Sequence, residues 1–267
     1  MRVAFVGSDG LIGSNLIHDL SESTEWTLFP INKFNFGAYF DNDQSFDVCV
    51  NCNGNSSRMQ AEKDARKAYV DNVISTQIII TSIKAKRYIH ISSGDVYAQT
   101  HKCCEYYTPL VDDSIGDLDY KYNYGHTKVL AEKAVKFLCD DYVILRCCSV
   151  LGKGLKKGVV YDLLTSEKTY FSLDSSFQFI TTTELSNIIK FFVENDQHKN
   201  KIYNVAGFYS VGSCVIADML GKPFVSHLNP VKYSRQISNA RLFDIYPTLK
   251  TSKKYLQDFI NEYRGDC

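Results

Sequence analysis

The sequence has no excess of charge of either sign: 30 Lys and Arg stand against 30 Asp and Glu in 267 residues. No net field therefore draws the chain to nucleic acid or to an anionic membrane surface. Prolines are scarce, five in all, and there is neither an internal repeat nor a low-complexity linker. One compact unit with a smaller lobe is the organisation expected at this length. No apolar run reaches the roughly 18 residues of a membrane span. The opening residues lack the basic start, apolar stretch and cleavage site of a secretory signal, which points to the cytoplasm. No His/Cys group has metal-ligand spacing. The nine cysteines are odd in number and include the adjacent pairs Cys103-Cys104 and Cys147-Cys148, which makes no disulfide framework and reads as reduced thiols. Cys49-Val50-Asn51-Cys52 has redox-pair spacing, but residues three apart on a strand face opposite ways, so structural cysteines are expected.

What is present is concentrated at the start. Arg2-Val3-Ala4-Phe5-Val6 reads as a strand buried on both faces, as a central parallel strand must be. Gly7, Gly10 and Gly13 follow at spacing three and three, and open an apolar-periodic helix through Leu11, Ile12, Leu16, Ile17 and Leu20. Glycines placed so allow a sharp exit from the strand, backbone approach to a pyrophosphate and a helix lying close on the sheet. The helix N-terminus adds unpaired N–H groups and a positive dipole. Gly7, Gly10, Leu11, Ile12 and Gly13 are therefore expected to line a dinucleotide.

Strand and helix then alternate. Strands are expected near Trp26–Ile31, Asp47–Cys52, Arg87–Ser93 and Tyr142–Leu145, with helices from about Arg58, over Ala68–Lys86 and over Tyr122–Leu138. A polar, aromatic loop fills Ala98–Lys121. This order implies right-handed crossovers and an α/β fold, a doubly wound parallel sheet of Rossmann type that binds ligands at the carboxyl ends of its strands. The second half is less regular, with a helix near Glu184–Val193, a strand at Lys201–Val205 and a last helix from Ser252. The expected division is a cofactor domain over 1–150, completed by about 182–207, and a small substrate lobe over 151–181 and 208–267.

An acidic residue at the end of the second strand would hold an adenosine ribose. The chain has Asn32 and Lys33 there instead. Lys33 suits a 2′-phosphate, favouring NADP over NAD, although a surface lysine explains it too. The chemistry is placed at Ser92-Ser93 and at Tyr124-Gly125-His126-Thr127-Lys128. Tyr124 and Lys128, four apart on one helix, share a face. A lysine ammonium and an oxidised nicotinamide would both favour the phenolate, and moving a tyrosine from about 10 to about 7 needs roughly 4 kcal/mol. Ser93 would hold the same substrate oxygen. A second Tyr/Lys pair, Tyr246 and Lys250, brackets Pro247 outside the alternating half and is set aside.

At these positions the sequence resembles the extended short-chain dehydrogenase/reductase family, the epimerases, dehydratases and reductases of nucleotide sugars. The glycine motif matches Gly7, Gly10 and Gly13; the Asn-Val-x-Gly-Thr segment matches Asn72–Thr76 with Ser75 for glycine; Ser-Ser-x-x-Val-Tyr matches Ser92–Tyr97. The Tyr/Lys pair falls on Tyr124 and Lys128, and the Leu-Arg strand end on Leu145-Arg146. The family's alanine-rich segment is polar here, Asn51-Cys52-Asn53-Gly54, and Cys147, Cys148 and Ser149 replace its usual residues after the arginine. The resemblance implies catalysis by Ser93, Tyr124 and Lys128, with NADP or NAD also lined by Asn32, Lys33, Asn53, Gly54, Asn72, Ser92 and Cys147. It implies substrate contacts at Ser149, Gln178 and, more weakly, Arg241.

Compactness brings the chain nearest the dTDP-4-dehydrorhamnose reductase branch, so the expected reaction is reduction of a 4-keto sugar nucleotide, with epimerisation on the same site as the alternative. Dehydratases carry Thr-Asp-Glu where this chain has Ser93-Gly94-Asp95, and Gly94 donates no proton. Asp95 is either a second acid/base or a turn-capping aspartate. Arg146 either approaches substrate or pairs with a carboxylate, His126 reads as a surface residue, and Tyr106, Tyr107 and Tyr120 either cover the sugar or pack. A homodimer is implied by resemblance alone. An NADP-binding regulator without turnover is the reading from another class; such relatives often lack the tyrosine or lysine, and both are here.

Overall fold

The computed structural model describes residues 1–39, 43–97, 123–165, 168–234 and 236–265. The expected aromatic loop, with Tyr106, Tyr107, Tyr120 and the Cys103-Cys104 pair, lies outside them. Six parallel strands form the central sheet: β1 (Arg2–Val6), β2 (Thr27–Ile31), β3 (Ser45–Asn51), β4 (Lys84–Ser93), β5 (Tyr142–Cys147) and β6 (Lys201–Val205). Their spatial order is β6-β5-β4-β3-β1-β2. The chain reverses its direction of travel across the sheet between β1 and β3, which makes that crevice the binding position of an open parallel sheet.

The period-two alternation of β1 sorts the core into two layers. Val3 and Phe5 pack with Leu16 and Leu20 of α1 (Leu11–Ser23). Ile188 and Ile189 of a later helix, here α5 (Thr182–Glu194), complete that layer. Ala4 and Val6 face the other way, toward Ile79 and Val135. These belong to α3 (65–82), which follows the short α2 (Arg58–Lys63), and to α4 (Asn123–Leu138). Pro30 sits in β2, the edge strand, where its missing N–H breaks no ladder. Lys190 Nζ donates to the Ser23 carbonyl and Ser186 Oγ to Asp19, tying α5 to α1.

One boundary differs from the sequence reading. The helix ends at Ser82, and Lys84–Lys86 already belong to β4, because Ile83 is extended and Lys84 and Ala85 pair with Ser45 and Phe46. The pairing overrides the local helical preference of an alanine and lysine run. The second half adds short strand pairs that carry no periodic signal, among them Ser149–Leu151 with Phe179–Thr181 and Thr169–Phe171 with Ser226–Val231. Among the described residues no helix is long and apolar enough to cross a membrane, and no group of three His, Cys, Asp or Glu side chains is placed to hold a metal.

Candidate active site

The carboxyl ends of β1, β2 and β3 are level, with Val6 beside Ile31 and Asn51. The turn after β1 is pinned by the N–H groups of Gly7 and Ser8, both donating to the Ile31 carbonyl. Gly10 is the N-cap of α1; it offers no capping side chain, and no acidic residue stands in the first turn. The first intrahelical bond is from Ser14 N to the Gly10 carbonyl, so the helix start keeps its unpaired donors. A Cβ on Gly13 would sit 2.3 Å from the Gly7 carbonyl oxygen, so only glycine lets α1 come this near. These features fit a dinucleotide pyrophosphate. At the end of β2, Asn32 Oδ1 accepts from Phe34 N and Asn35 Oδ1 from Asn32 N. Lys33 is exposed, with its ammonium 4.9 Å from the Phe34 ring centre.

Beyond β3, Cys52 N donates to the Val6 carbonyl and Asn53 N to Asn51 Oδ1. Asn53 Nδ2 donates to Ser75 Oγ. Asn72 lies in a π turn, Val70–Ile74, within α3. Its Oδ1 accepts from Asn55 N at 2.8 Å and its Nδ2 donates to Thr127 Oγ1 at 2.9 Å. The buried carboxamide therefore braces the loop after β3 against α4, one residue from Lys128.

Ser92 and Ser93 end β4 pointing opposite ways. Ser92 Oγ donates to Glu132, which also receives Arg146 through two guanidinium nitrogens at 2.6 and 3.0 Å. Its hydroxyl is thus spent away from the crevice, which leaves only the backbone of Ser92 for a cofactor. Arg146 is 1 % exposed and lies 4.9 Å from the Tyr97 ring centre, so of its two readings the structure shows the paired carboxylate. Ser93 Oγ accepts from Asp95 N at 3.2 Å, and its hydroxyl acts on the Tyr124 phenol, favouring the ionised form. Tyr124 and Lys128 are both buried on the inner face of α4, and Lys128 Nζ donates to the Ile91 carbonyl at 2.9 Å.

The electrostatics differ from the sequence expectation. Burial pushes the Tyr124 phenol up to about 12; Asp95 adds to this, while Ser93 and then Arg58 oppose it. Burial also holds the Lys128 ammonium down at about 8, against the pull of Glu132. The principal cation acting on the phenol is Arg58, not Lys128. A neutral, proton-bearing tyrosine results at neutral pH.

Several expected residues are placed elsewhere. Asp95 is bound by two nitrogens of Arg58, Nε and Nη2, at 2.6 and 2.5 Å, so its carboxylate is part of an ion pair beside Tyr124. Gln178 is buried with both ends used: Nε2 donates to the Gly207 and Ile237 carbonyls and Oε1 accepts from Ile237 N, which makes it a latch between two loops. Arg241 donates to the Ile202 carbonyl. That atom lies three residues back from the level of Ser93, about 10 Å along the strand, so the fold does not bring Arg241 to the triad. Ser149 is exposed two residues past Cys147, which pairs in register with Ser93. Burial lifts the Cys147 thiol to about 12. His126 is half-buried rather than fully exposed. Tyr246, of the discarded pair, donates to Glu184.

Sequence reasoning missed Arg58, which meets Asp95 only through the fold, and Lys157. The signal for the latter was there: Gly152-Lys153-Gly154-Leu155-Lys156-Lys157-Gly158 mixes glycine and lysine as an anion-binding loop would.

A parallel sheet reversing at β1 and β3, a glycine turn at the crevice and a Ser/Tyr/Lys group on its far wall define a dinucleotide-binding α/β protein. The model of the NAD dependent epimerase/dehydratase family matches residues 3–206, and the chain belongs to that family. The dinucleotide for which its glycine turn is built is accordingly a nicotinamide one. No protein of curated function matches the sequence. Solved structures share the fold along the whole chain at low identity. RMD from Pseudomonas aeruginosa, complexed with NADPH, has a TM-score of 0.80 and 18% identity over 99% of this chain and 100% of its own. The dTDP-4-dehydrorhamnose reductase of Bacillus anthracis, in complex with NADP, has 0.75 and 19%, covering 98% of each. The UDP-glucuronic acid 4-epimerase of Bacillus cereus, solved as a point mutant with a fluorinated UDP-glucuronic acid and NAD, has 0.78 and 16%, over 98% of this chain and 100% of that one.

Proposed function

We propose that the protein reduces the keto group of a sugar nucleotide, most simply a 4-keto sugar, using NADPH or NADH. The observation that carries this reading is the Tyr124 phenol, buried with Lys128 on the inner face of α4, acted on by Ser93 and protonated at neutral pH. The bound nicotinamide would supply the hydride. Tyr124 gives its proton to the carbonyl oxygen, and Ser93 holds that oxygen in place. The alcohol forms with one hydride and one proton gained. Lys128, anchored on the Ile91 carbonyl, lies one helical turn away, placed to restore the proton. Residues 1–150 and 182–207 hold the cofactor in this reading, and 151–181 with 208–267 hold the sugar nucleotide.

Epimerisation on the same site would begin with oxidation and so needs the phenolate, whereas reduction uses the phenol. The test is to mix the protein with NADPH or NADH and 4-keto-6-deoxy sugar nucleotides, and to follow loss of the reduced cofactor. Turnover is expected, and Tyr124→Phe should lower it by roughly 10²–10⁴-fold while cofactor affinity stays within about twofold. Tight cofactor binding with no turnover on any sugar would support a regulatory role instead. An undiminished rate in Tyr124→Phe would remove the proton donor from the scheme.

A further inference from the structure

The turn that follows β4, Gly94–Val96, touches two parts of the chain. It meets the start of α4, where a Cβ on Gly125, next to Tyr124, would stand 2.2 Å from the Asp95 carbonyl oxygen. It also meets the part proposed to hold the sugar nucleotide, where a Cβ on Gly94 would lie 3.4 Å from Ile237 Cγ2. Arg58 adds a second link between the same two parts. Its Nε and Nη2 grip the Asp95 carboxylate, and its guanidinium carbon lies 4.5 Å from the Tyr233 ring centre. Tyr233 is itself built into the smaller lobe. Its ring stacks on Phe177 at 5.1 Å, its N–H donates to Ser175 Oγ and its carbonyl accepts from Ser176 N. The residue type matters at position 58. A guanidinium that holds a carboxylate along one edge still has a flat face to lay on an aromatic ring, and a lysine ammonium has neither.

We infer that Arg58 is a positioning residue: it clasps Tyr233, and with it the smaller lobe, to the Asp95 turn beside Tyr124, and so seats the sugar nucleotide over the phenol. The kinetic half of this inference rests on the sugar-nucleotide reading above; the clasp itself does not. Arg58 takes no part in proton transfer. Loosening its hold on Tyr233 removes binding that ground state and transition state share, which raises KM and spares kcat. Removing the cation does more. Asp95 is then left unpaired beside a phenol that must turn negative as it gives up its proton, so kcat falls as well.

Two measurements test this. In the first, reduction of 4-keto-6-deoxy sugar nucleotides by NADPH is compared for wild type, Tyr233→Phe, Tyr233→Leu, Arg58→Gln and the Tyr233→Leu/Arg58→Gln double variant. Tyr233→Phe keeps the ring and should stay within about twofold of wild type in both constants. Tyr233→Leu should raise KM roughly tenfold with kcat within about twofold. Arg58→Gln should raise KM as much and lower kcat roughly tenfold besides. The double variant should have a KM no higher than the single ones, because both remove one contact. A KM within about twofold of wild type in Tyr233→Leu, or KM increases that multiply in the double variant, would overturn the inference. The second measurement needs no substrate: amide hydrogen exchange of the protein with NADPH bound. The backbone N–H groups of Ser176 and of residue 233 should exchange roughly tenfold faster in Tyr233→Leu and in Arg58→Gln, with those of β1, the control for folding, unchanged. Unchanged exchange at 176 and 233 means that the lobe is held without Arg58, and the inference fails whatever the protein reduces. If exchange quickens while wild type turns over no sugar nucleotide, the clasp stands and the sugar-nucleotide reading falls.

Discussion

Asn72 Oδ1 occupies the place that a side chain at position 54 would need: a Cβ built on Gly54 would stand 2.7 Å from it. Gly54 has φ +138°, where side chains are strained in any case. The same carboxamide reaches Thr127, so the loop after β3 and the helix bearing Tyr124 and Lys128 are joined through one amide.

Gly54→Ala should therefore destabilise the protein by roughly 2–4 kcal/mol, from backbone strain and overpacking together. Urea unfolding measures this. Gly37→Ala, at a position with nothing within 4 Å, is the control and should change the midpoint little. Equal midpoints for the two variants would mean that the loop yields at no cost.

Asp95 raises the phenol of Tyr124 and Arg58 lowers it. Asp95→Asn removes the first and leaves the second unopposed, so both changes act in one direction. The tyrosine should titrate at lower pH, seen as phenolate absorbance present in the variant and missing from its Tyr124→Phe double. An unchanged titration would separate the ion pair from the phenol.

Lys128 is charged in the unfolded chain up to its ordinary value and, in the folded protein, only up to about 8. Below pH 8 both states carry the proton and the folded state bears the full cost of burying it. Between about 8 and 10.5 the unfolded state binds more protons, so this group's contribution to stability rises with pH. Lys128→Met removes the cost at every pH. Its stability advantage over wild type should be largest near pH 7 and shrink by roughly 3 kcal/mol toward about pH 10.5. The comparison uses the difference between the two proteins, because thiols that burial keeps protonated in the folded state ionise in the same alkaline window once either chain unfolds. A difference that does not vary with pH would place the ammonium in water.

Gln178→Leu leaves both backbone groups of Ile237 without their partner and the Gly207 carbonyl with Ser252 Oγ alone of its side-chain donors. A loss of roughly 2–4 kcal/mol in stability is expected, with KM for the sugar nucleotide nearly unchanged once folded. A raised KM at unchanged stability would return Gln178 to the substrate site.

The first strand, the glycine turn and α1 are legible in the sequence because burial on both faces and a three-and-three spacing are local properties of the chain. The shared face of Tyr124 and Lys128 is legible for the same reason, being a matter of helical periodicity. Meetings between distant loops leave no such trace. Arg58 follows β3 and Asp95 follows β4, and only the parallel register brings them together. The protonation of Tyr124 escapes a reading that counts nearby cations and leaves out the cost of burial, which here dominates. Gln178 is drawn toward the substrate by resemblance and Arg241 by its charge, when backbone carbonyls elsewhere have stronger claims on them.

The π turn at Val70–Ile74 carries a consequence for chain length. It accommodates one residue more than a regular coil of the same rise, and each residue of an α-helix turns the chain by about 100°. Deleting a single residue there would let the coil relax to ordinary winding with its flanks still in phase, whereas the same deletion elsewhere in α3 would swing one flank past the other by more than a quarter turn. An apparent defect in the winding is thus the one place where α3 has taken up an extra residue, and Asn72 stands in it.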